Sequence, residues 1–316
     1  MNKKRLLIII ALLILGWCVF QVAVTPWGEL PGKLIYQTNR INVKDGKANI
    51  IRESGKQEKI VGSEGFYCYK WAPDGEKIAA FSDKKGDVVL LDPKCEILQR
   101  IEMPDGAMGM DISWRPKSDQ VFVIEHFSNA LDAASSFDHL TIYDFSTNQR
   151  IPFYANNDFT IYDIAVARNG DIFFTGGPAA PEHLGKGFFL YRMDPQTKKM
   201  TLLSQGPRQI ELIDNGKKIV FVGSLRIFGQ LITTCVLGVY DIKTGFTRYI
   251  SFFAGDIRQM TVVEDGKYLV TAEGEGNAVV LYKRSLLGGF KRPITKPEML
   301  AYLDFPSQDQ YPDWTA

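Results

Sequence analysis

Residues 67–101 read YCYKWAPDGEKIAAFSDKKGDVVLLDPKCEILQRI, and this stretch decides the fold. A run ending at Trp71 is followed by the turn Ala72-Pro73-Asp74-Gly75, then by the run IAAFSD, a polar gap, the run DVVLLD, a second turn and the run EILQRI. Short apolar and β-branched runs bounded by Pro, Asp and Gly predict four antiparallel strands joined by tight turns.

The unit recurs along the chain. The next copy is MDISWRPKSDQVFVIE with LTIYD and QRIPFYA, and the third is IYDIAVARNGDIFFTGG with FFLYRMD and KMTLLSQ. A fourth reads RQIELIDNGKKIVFVGS, TTCVLGVYD and FTRYISF, and a fifth RQMTVVEDGKYLVTAEG, NAVVLYK and, after a longer loop, MLAYLDF. Four strands repeating every ~43–52 residues are the pattern of β-propeller blades. The dipeptides Asp74-Gly75, Asn169-Gly170, Asn215-Gly216 and Asp265-Gly266 read as hairpin turns, with Gly supplying the positive φ. Asp92, Asp144, Asp194 and Asp241 end the third strands and read as turn-capping carboxylates. Trp71, Trp114, Val166, Leu212, Val262 and Trp314 hold one equivalent apolar position on the innermost strands, where side chains should pack between blades.

Two fragments are left over. KLIYQTN, KANIIRES and QEKIVGS make three strands without an innermost one, and DQYPDWTA at the C-terminus makes an innermost strand with nothing after it. Joined, they give a sixth blade built from both chain ends, which removes the open sheet edges of the ring.

Trp71-Ala72-Pro73-Asp74-Gly75 followed by Lys77-Ile78-Ala79 resembles the TolB-type, WD-repeat-like propeller module, over roughly residues 33–316. The resemblance implies a six-bladed, all-β propeller serving as a binding platform in the bacterial envelope. TolB proteins carry a further N-terminal domain, for which the residues before the first blade leave no room.

The N-terminal segment is of another kind. Lys3, Lys4 and Arg5 precede the apolar run Leu6–Val24, whose nineteen residues span roughly 28 Å as a helix, close to a bilayer's hydrocarbon core. The basic flank should stay in the cytoplasm. This gives a transmembrane signal anchor over residues 1–24, a linker over 25–32 and a propeller over 33–316 on the extracytoplasmic side of the inner membrane. A cleaved signal peptide and a lipoprotein signal ending at Cys18 are the alternatives; Gln21 and Ala23 make a poor cleavage site, and Trp17 is bulky beside Cys18.

The balance of 37 basic against 36 acidic residues removes the electrostatic reason to expect nucleic-acid binding. A 45% apolar and 12% aromatic content supports a packed core. Four scattered cysteines suit neither a disulfide scaffold nor a zinc site, and Cys68 and Cys95 fall too far apart in one blade to pair.

Strand direction assigns the loops to faces. First-to-second and third-to-fourth turns share the face where the anchor enters, with the loop RSLLGGFKRPITKPE, whose Leu286, Leu287 and Phe290 stand among Arg284, Lys291, Arg292 and Lys296. That mix suits a membrane interface, or an ordinary loop folded over its blade. The distal face takes the insertions EHFSNALDAASSFDH and GGPAAPEHLGKG, holding His126, His139 and His183 beside Glu125, Asp132, Asp138 and Glu182. Their spacing fits no metal-ligand motif.

Three places before the apolar inner-strand position stand Cys68, Asp111, Asp163, Gln209, Gln259 and Tyr311, and one place earlier Tyr67, Met110, Tyr162, Arg208, Arg258 and Gln310. These approach the distal mouth of the channel. Asp111 and Asp163 face Arg208 and Arg258, with Gln209 and Gln259 beside them, in a ring suited to a peptide terminus or a small charged ligand. The alternative is pairing of these groups with the backbone of neighbouring blades. No nucleophile elbow, His-Glu-x-x-His or phosphate-binding loop is present. The expected function is therefore binding or scaffolding of an envelope protein or peptide, without a cofactor. The alternative is a propeller hydrolase or lactonase with a metal in the channel.

Overall fold

A computed structural model describes residues 3–24, 33–38, 48–53, 56–60, 66–82, 86–129, 132–156, 159–178, 188–227, 230–251, 256–263, 268–275, 278–288, 291–293 and 313–315. One helix, α1 (Lys3–Val24), precedes the strands. The strands group into six four-stranded antiparallel sheets. Five are contiguous in sequence and form a ring of propeller blades. The first holds β4 (Phe66–Trp71), β5 (Ile78–Ser82), β6 (Val88–Leu91) and β7 (Ile97–Ile101). The second holds β8 (Ala107–Trp114), β9 (Gln120–Asn129), β10 (Asp132–Asp144) and β11 (Gln149–Asn156). The third holds β12 (Phe159–Val166), β13 (Ile172–Pro178), β14 (Phe189–Met193) and β15 (Met200–Gln205). The fourth holds β16 (Pro207–Ile213), β17 (Lys218–Ile227), β18 (Gln230–Asp241) and β19 (Thr247–Ser251). The fifth holds β20 (Asp256–Val263), β21 (Tyr268–Glu275), β22 (Ala278–Ser285) and β23 (Arg292–Pro293).

The remaining sheet has the order β24-β1-β2-β3, from β1 (Lys33–Thr38), β2 (Ala48–Glu53), β3 (Lys56–Ile60) and β24 (Asp313–Thr315). The two chain ends pair antiparallel, Lys33 opposite Thr315 and Ile35 opposite Asp313. Strand β24 lies against β20 on one side and β4 on the other.

The apolar cores lie between blades. Trp114 packs with Ala79, Phe81, Val88 and Leu90 of the blade before it, and its indole N–H donates to the Lys70 carbonyl at 2.9 Å. Val166 packs into the core between the second and third blades, Leu212 between the third and fourth, and Val262 between the fourth and fifth. Trp71 is buried on the other face of the first blade. These are the interlocking positions expected from the repeat; the Trp314 side chain lies outside the described residues.

The turns follow from their residues. Gly75 and Gly170 take positive φ, and Asn215-Gly216 does so inside a short 3-10 turn, while Asp265-Gly266 lies outside the described residues. Asp92 Oδ1 accepts the Lys94 and Glu96 amides at 2.8 Å, Asp194 Oδ1 those of Gln196 and Thr197, and Asp241 Oδ1 that of Thr244. Asp144 Oδ1 takes the Ser146 amide and hydroxyl, and these bonds hold its carboxyl down at about 2. Cys68 and Cys95 are unbridged thiols.

Two expectations change. The fourth strand of the fifth blade is Arg292–Pro293, paired with Lys283 and Tyr282, rather than MLAYLDF. The turn at Leu286–Gly288 returns the chain to the blade at once, and residues 299–305 lie outside the described residues. Among the described residues, no helix is long and apolar enough to cross a membrane, so the spanning segment expected over Leu6–Val24 does not follow from the fold.

Candidate functional site

Each contiguous blade bends its innermost strand at the same place. In β8 the register skips Met110, between Gly109 and Asp111; in β12 it skips Tyr162, in β16 Arg208 and in β20 Arg258. In β4, Cys68 and Tyr69 together face Ala80, and Cys68 has a positive φ of 54°. A bulge turns the strand and re-aims the side chains beside it. Here it does so at the channel mouth.

The residues just after the bulges reach into the next blade. Asp111 Oδ2 accepts the Ile164 amide at 3.0 Å, and Asp111 Oδ1 accepts the Cys68 thiol at 3.6 Å. Asp163 Oδ2 accepts the Ile210 amide at 2.6 Å, and its Oδ1 accepts the Ile164 amide at 2.9 Å. Arg208 Nη2 donates to the Ile257 carbonyl at 2.9 Å, while the Arg208 carbonyl accepts the Thr175 hydroxyl. An innermost strand is a sheet edge, and its channel-facing amides need acceptors. The two aspartates supply them, stapling the second, third and fourth blades. Of the six mouth residues, Asp111, Asp163 and Arg208 are thus engaged with neighbouring backbone. Gln209 stands half-buried at the next equivalent position. The side chains of Arg258 and Gln259 lie outside the described residues, although their backbone continues the pattern in β20.

The electrostatics follow from this crowding. One N–H, that of Ile164, serves two carboxylate oxygens, which places Asp111 beside Asp163. Burial, the charge of Asp111 and a hydrogen bond with Asp111 push the Asp163 carboxyl well above the usual range, against the opposing pull of Lys70. Burial and the same Asp111 charge raise the Cys68 thiol, so it is not poised as a nucleophile.

Two residues below the aspartates, the channel is crossed. Lys70 Nζ donates to Glu211 Oε1 at 3.0 Å, with the two side chains 20% and 23% exposed. Lys70 is on β4 and Glu211 on β16, and the innermost strands touch in the order β4, β8, β12, β16. The pair therefore joins blades on different sides of the ring rather than one blade interface. Sequence reading missed it. The available signal was one Lys and one Glu at equivalent inner-strand positions three blades apart.

The described residues of the first distal insertion engage one another and the next blade. His126 Nδ1 meets Asp138 Oδ1 at 2.7 Å, a contact that raises the imidazole pKa, and Asp138 Oδ2 accepts the Ile161 amide at 2.6 Å. His139 packs against the rings of Phe127 and Phe137. Glu125 is fully buried and saturated by Thr141, Tyr143 and a bidentate Arg150. Among the described residues no group of three or more His, Cys, Asp or Glu could hold a metal ion. His183 and Glu182, and the side chain of Asp132, lie outside them. At the rim, Met108 and Tyr162 are 46% and 43% exposed, the latter edge-on to Phe188.

No protein-family model and no curated protein matches the chain. Solved structures do. TolB from Acinetobacter baumannii superposes with a TM-score of 0.67 at 18% identity, over 91% of this chain and 67% of that one. A TolB-type protein from Agrobacterium tumefaciens gives 0.60 at 13% identity, over 92% and 100%. An oligogalacturonate lyase in complex with manganese gives 0.57 at 12% identity, over 78% and 70%. At these identities the likeness is one of fold, and the chain has the TolB-like β-propeller fold.

Proposed function

We propose that this protein is a membrane-anchored, extracytoplasmic six-bladed propeller that binds an envelope protein or peptide in the cup at its distal face. The observation that carries the reading is the Lys70–Glu211 bridge: reaching across the ring below the mouth, it would floor the channel there and give a partner a charged recess to enter. Asp111 and Asp163 form one wall of that recess, and their acceptor capacity goes to the Ile164 and Ile210 amides. Arg208 spends one N–H on the Ile257 carbonyl, and a guanidinium has five to offer. With Arg258 at the equivalent bulge of the next blade, and Gln209 and Gln259 beside them, it suits a carboxylate on the partner. Met108 and Tyr162 supply the exposed apolar rim that such interfaces favour.

Six blades are supported by the sixth sheet, in which both chain ends pair and β24 lies between β20 and β4. The anchor is supported by α1 itself. Its 22 residues contain no acid and would rise about 33 Å. The described apolar side chains from Ile9 to Phe20 are exposed rather than packed on the propeller. Lys3, Lys4 and Arg5 then remain on the cytoplasmic side of the inner membrane.

The test is partner capture from crosslinked cells with the double variant Arg208→Glu, Arg258→Glu. The reading requires capture to be lost while the protein folds and reaches the membrane. Undiminished capture removes the cup as the site. Stoichiometric metal in the purified protein would favour a hydrolase or lactonase instead.

A further inference from the structure

The face opposite the cup carries two exposed apolar side chains that the fold holds outward. Phe246 is 67% exposed at the turn between β18 and β19, and Leu287 is 65% exposed at the turn after β22. Both are third-to-fourth turns, in adjacent blades. They belong to the end of the propeller where β1 starts, since Lys33 pairs with Thr315 at the finish of an innermost strand. Chain direction thus puts Phe246, Leu287 and the entry from α1 on one face.

The two tips are tied together and built rigidly. Arg248 Nη2 donates to the Leu286 carbonyl at 2.7 Å, linking the fourth blade to the turn of the fifth. Leu286 is buried between these blades, which turns its neighbour Leu287 to the outside. The Leu287 amide is held by the Ser285 hydroxyl, and Gly288 closes the turn with a φ of 109°. At the other tip, Asp241 Oδ1 takes the Thr244 amide and hydroxyl at 2.8 Å, and the Asp241 amide donates to the Phe246 carbonyl. These are structured turns that keep an aromatic and an aliphatic side chain in solvent.

The charges around them complete the pattern. Lys217 and Lys243 are exposed beside the tips, and the Lys217 carbonyl accepts the Ile242 amide at the base of the Phe246 turn. Among the described residues, the nearby carboxylates are engaged: Asp214 with Lys218 at 3.0 Å, Asp241 with its own turn, and Glu273 with Arg284 and Lys291. Apolar tips flanked by lysines match the boundary between acyl chains and anionic headgroups.

We propose that the Phe246 and Leu287 turns insert into the anionic phospholipid surface of the membrane that holds α1, fixing the propeller with its cup facing away. The proposal rests on the reading of α1 as an anchor and adds a second, lipid-specific contact.

The experiment uses the full chain reconstituted in vesicles of zwitterionic lipid, with or without phosphatidylglycerol, and with brominated acyl chains as quencher. A tryptophan is introduced by Phe246→Trp, by Leu287→Trp or, on the distal rim, by Met108→Trp. The expected result is that quenching of the tryptophan from either turn variant exceeds that from Met108→Trp by about twofold or more when the anionic lipid is present. Lys217→Glu with Lys243→Glu should abolish the excess. Quenching no greater than that of Met108→Trp, with Trp17 of α1 still quenched, overturns the lipid contact and leaves the anchor standing. An unquenched Trp17 in protein that elutes apart from the vesicles overturns the anchor and the contact with it. Excess quenching that is indifferent to anionic lipid overturns the charge argument.

Discussion

Lys70 and Glu211 meet at 3.0 Å from blades that are not neighbours in the ring. Both side chains are about four-fifths shielded from solvent, and Lys70 acts on the buried Asp163 as well as on Glu211. Lys70→Met alone should therefore cost about 1–3 kcal/mol, because it leaves Glu211 shielded and unpaired. Glu211→Leu added to it should recover much of that loss. Urea denaturation of the two single variants and the double variant checks this. Additive losses would mean that the bridge contributes nothing as a pair.

The Asp111–Asp163 contact makes stability depend on pH in a definite direction. Folding raises the Asp163 carboxyl well above its ordinary 3.8, so the native state binds more protons than the unfolded chain above that value. The groups facing Asp163 are Asp111 and Lys70, with Cys68 bonded to Asp111 and Glu211 to Lys70. Its contribution is complete below pH 3.8 and is lost as pH rises through the raised value. Asp163→Asn keeps an acceptor for the Ile210 amide without titrating, so its urea midpoint should fall less than that of the native protein as pH rises above 3.8. Equal slopes would contradict the assignment. Asp144 acts the opposite way: lowered to about 2 by its bonds to Ser146 and Gln120, it stabilises the fold above 3.8 and loses that effect as pH falls through about 2.

Closure of the ring by both chain ends is a separate prediction. Removing residues 309–316 deletes β24 and exposes the edge of β1, whose Lys33, Leu34 and Ile35 face that strand. An uncovered strand edge pairs with other chains. The truncated protein should aggregate, and its midpoint should drop by several degrees, since a few kcal/mol of pairing and packing are lost. Unchanged monomeric behaviour and an unchanged midpoint would show that the terminal strand does not close the ring.

What the sequence disclosed follows the range of the forces involved. Turn chemistry is local, so Asp92, Asp194 and Asp241 read correctly as capping carboxylates. Trp114 and Val166 were legible as interlocking residues because the repeat placed them at one inner-strand position. The bulges at Met110, Tyr162 and Arg208 were not legible, since a register shift depends on the partner strand. That is why polar residues at a repeated position looked like a ligand ring before their backbone partners were known. The sequence reading had set inter-blade pairing beside that ring as the alternative, and Asp111, Asp163 and Arg208 make such pairs. The Lys70–Glu211 bridge was hidden for a further reason. It depends on which blades face each other across the channel, a property of the closed ring.

The central claim is that the partner occupies the distal cup. A photocrosslinking amino acid placed at Tyr162, which is 43% exposed on the bulge at the cup's rim, tests it most directly against the same group placed at Phe246 on the opposite face. After irradiation of intact cells, the account predicts a discrete protein adduct from position 162 and none from position 246. A protein adduct from position 246, with none from position 162, would contradict it.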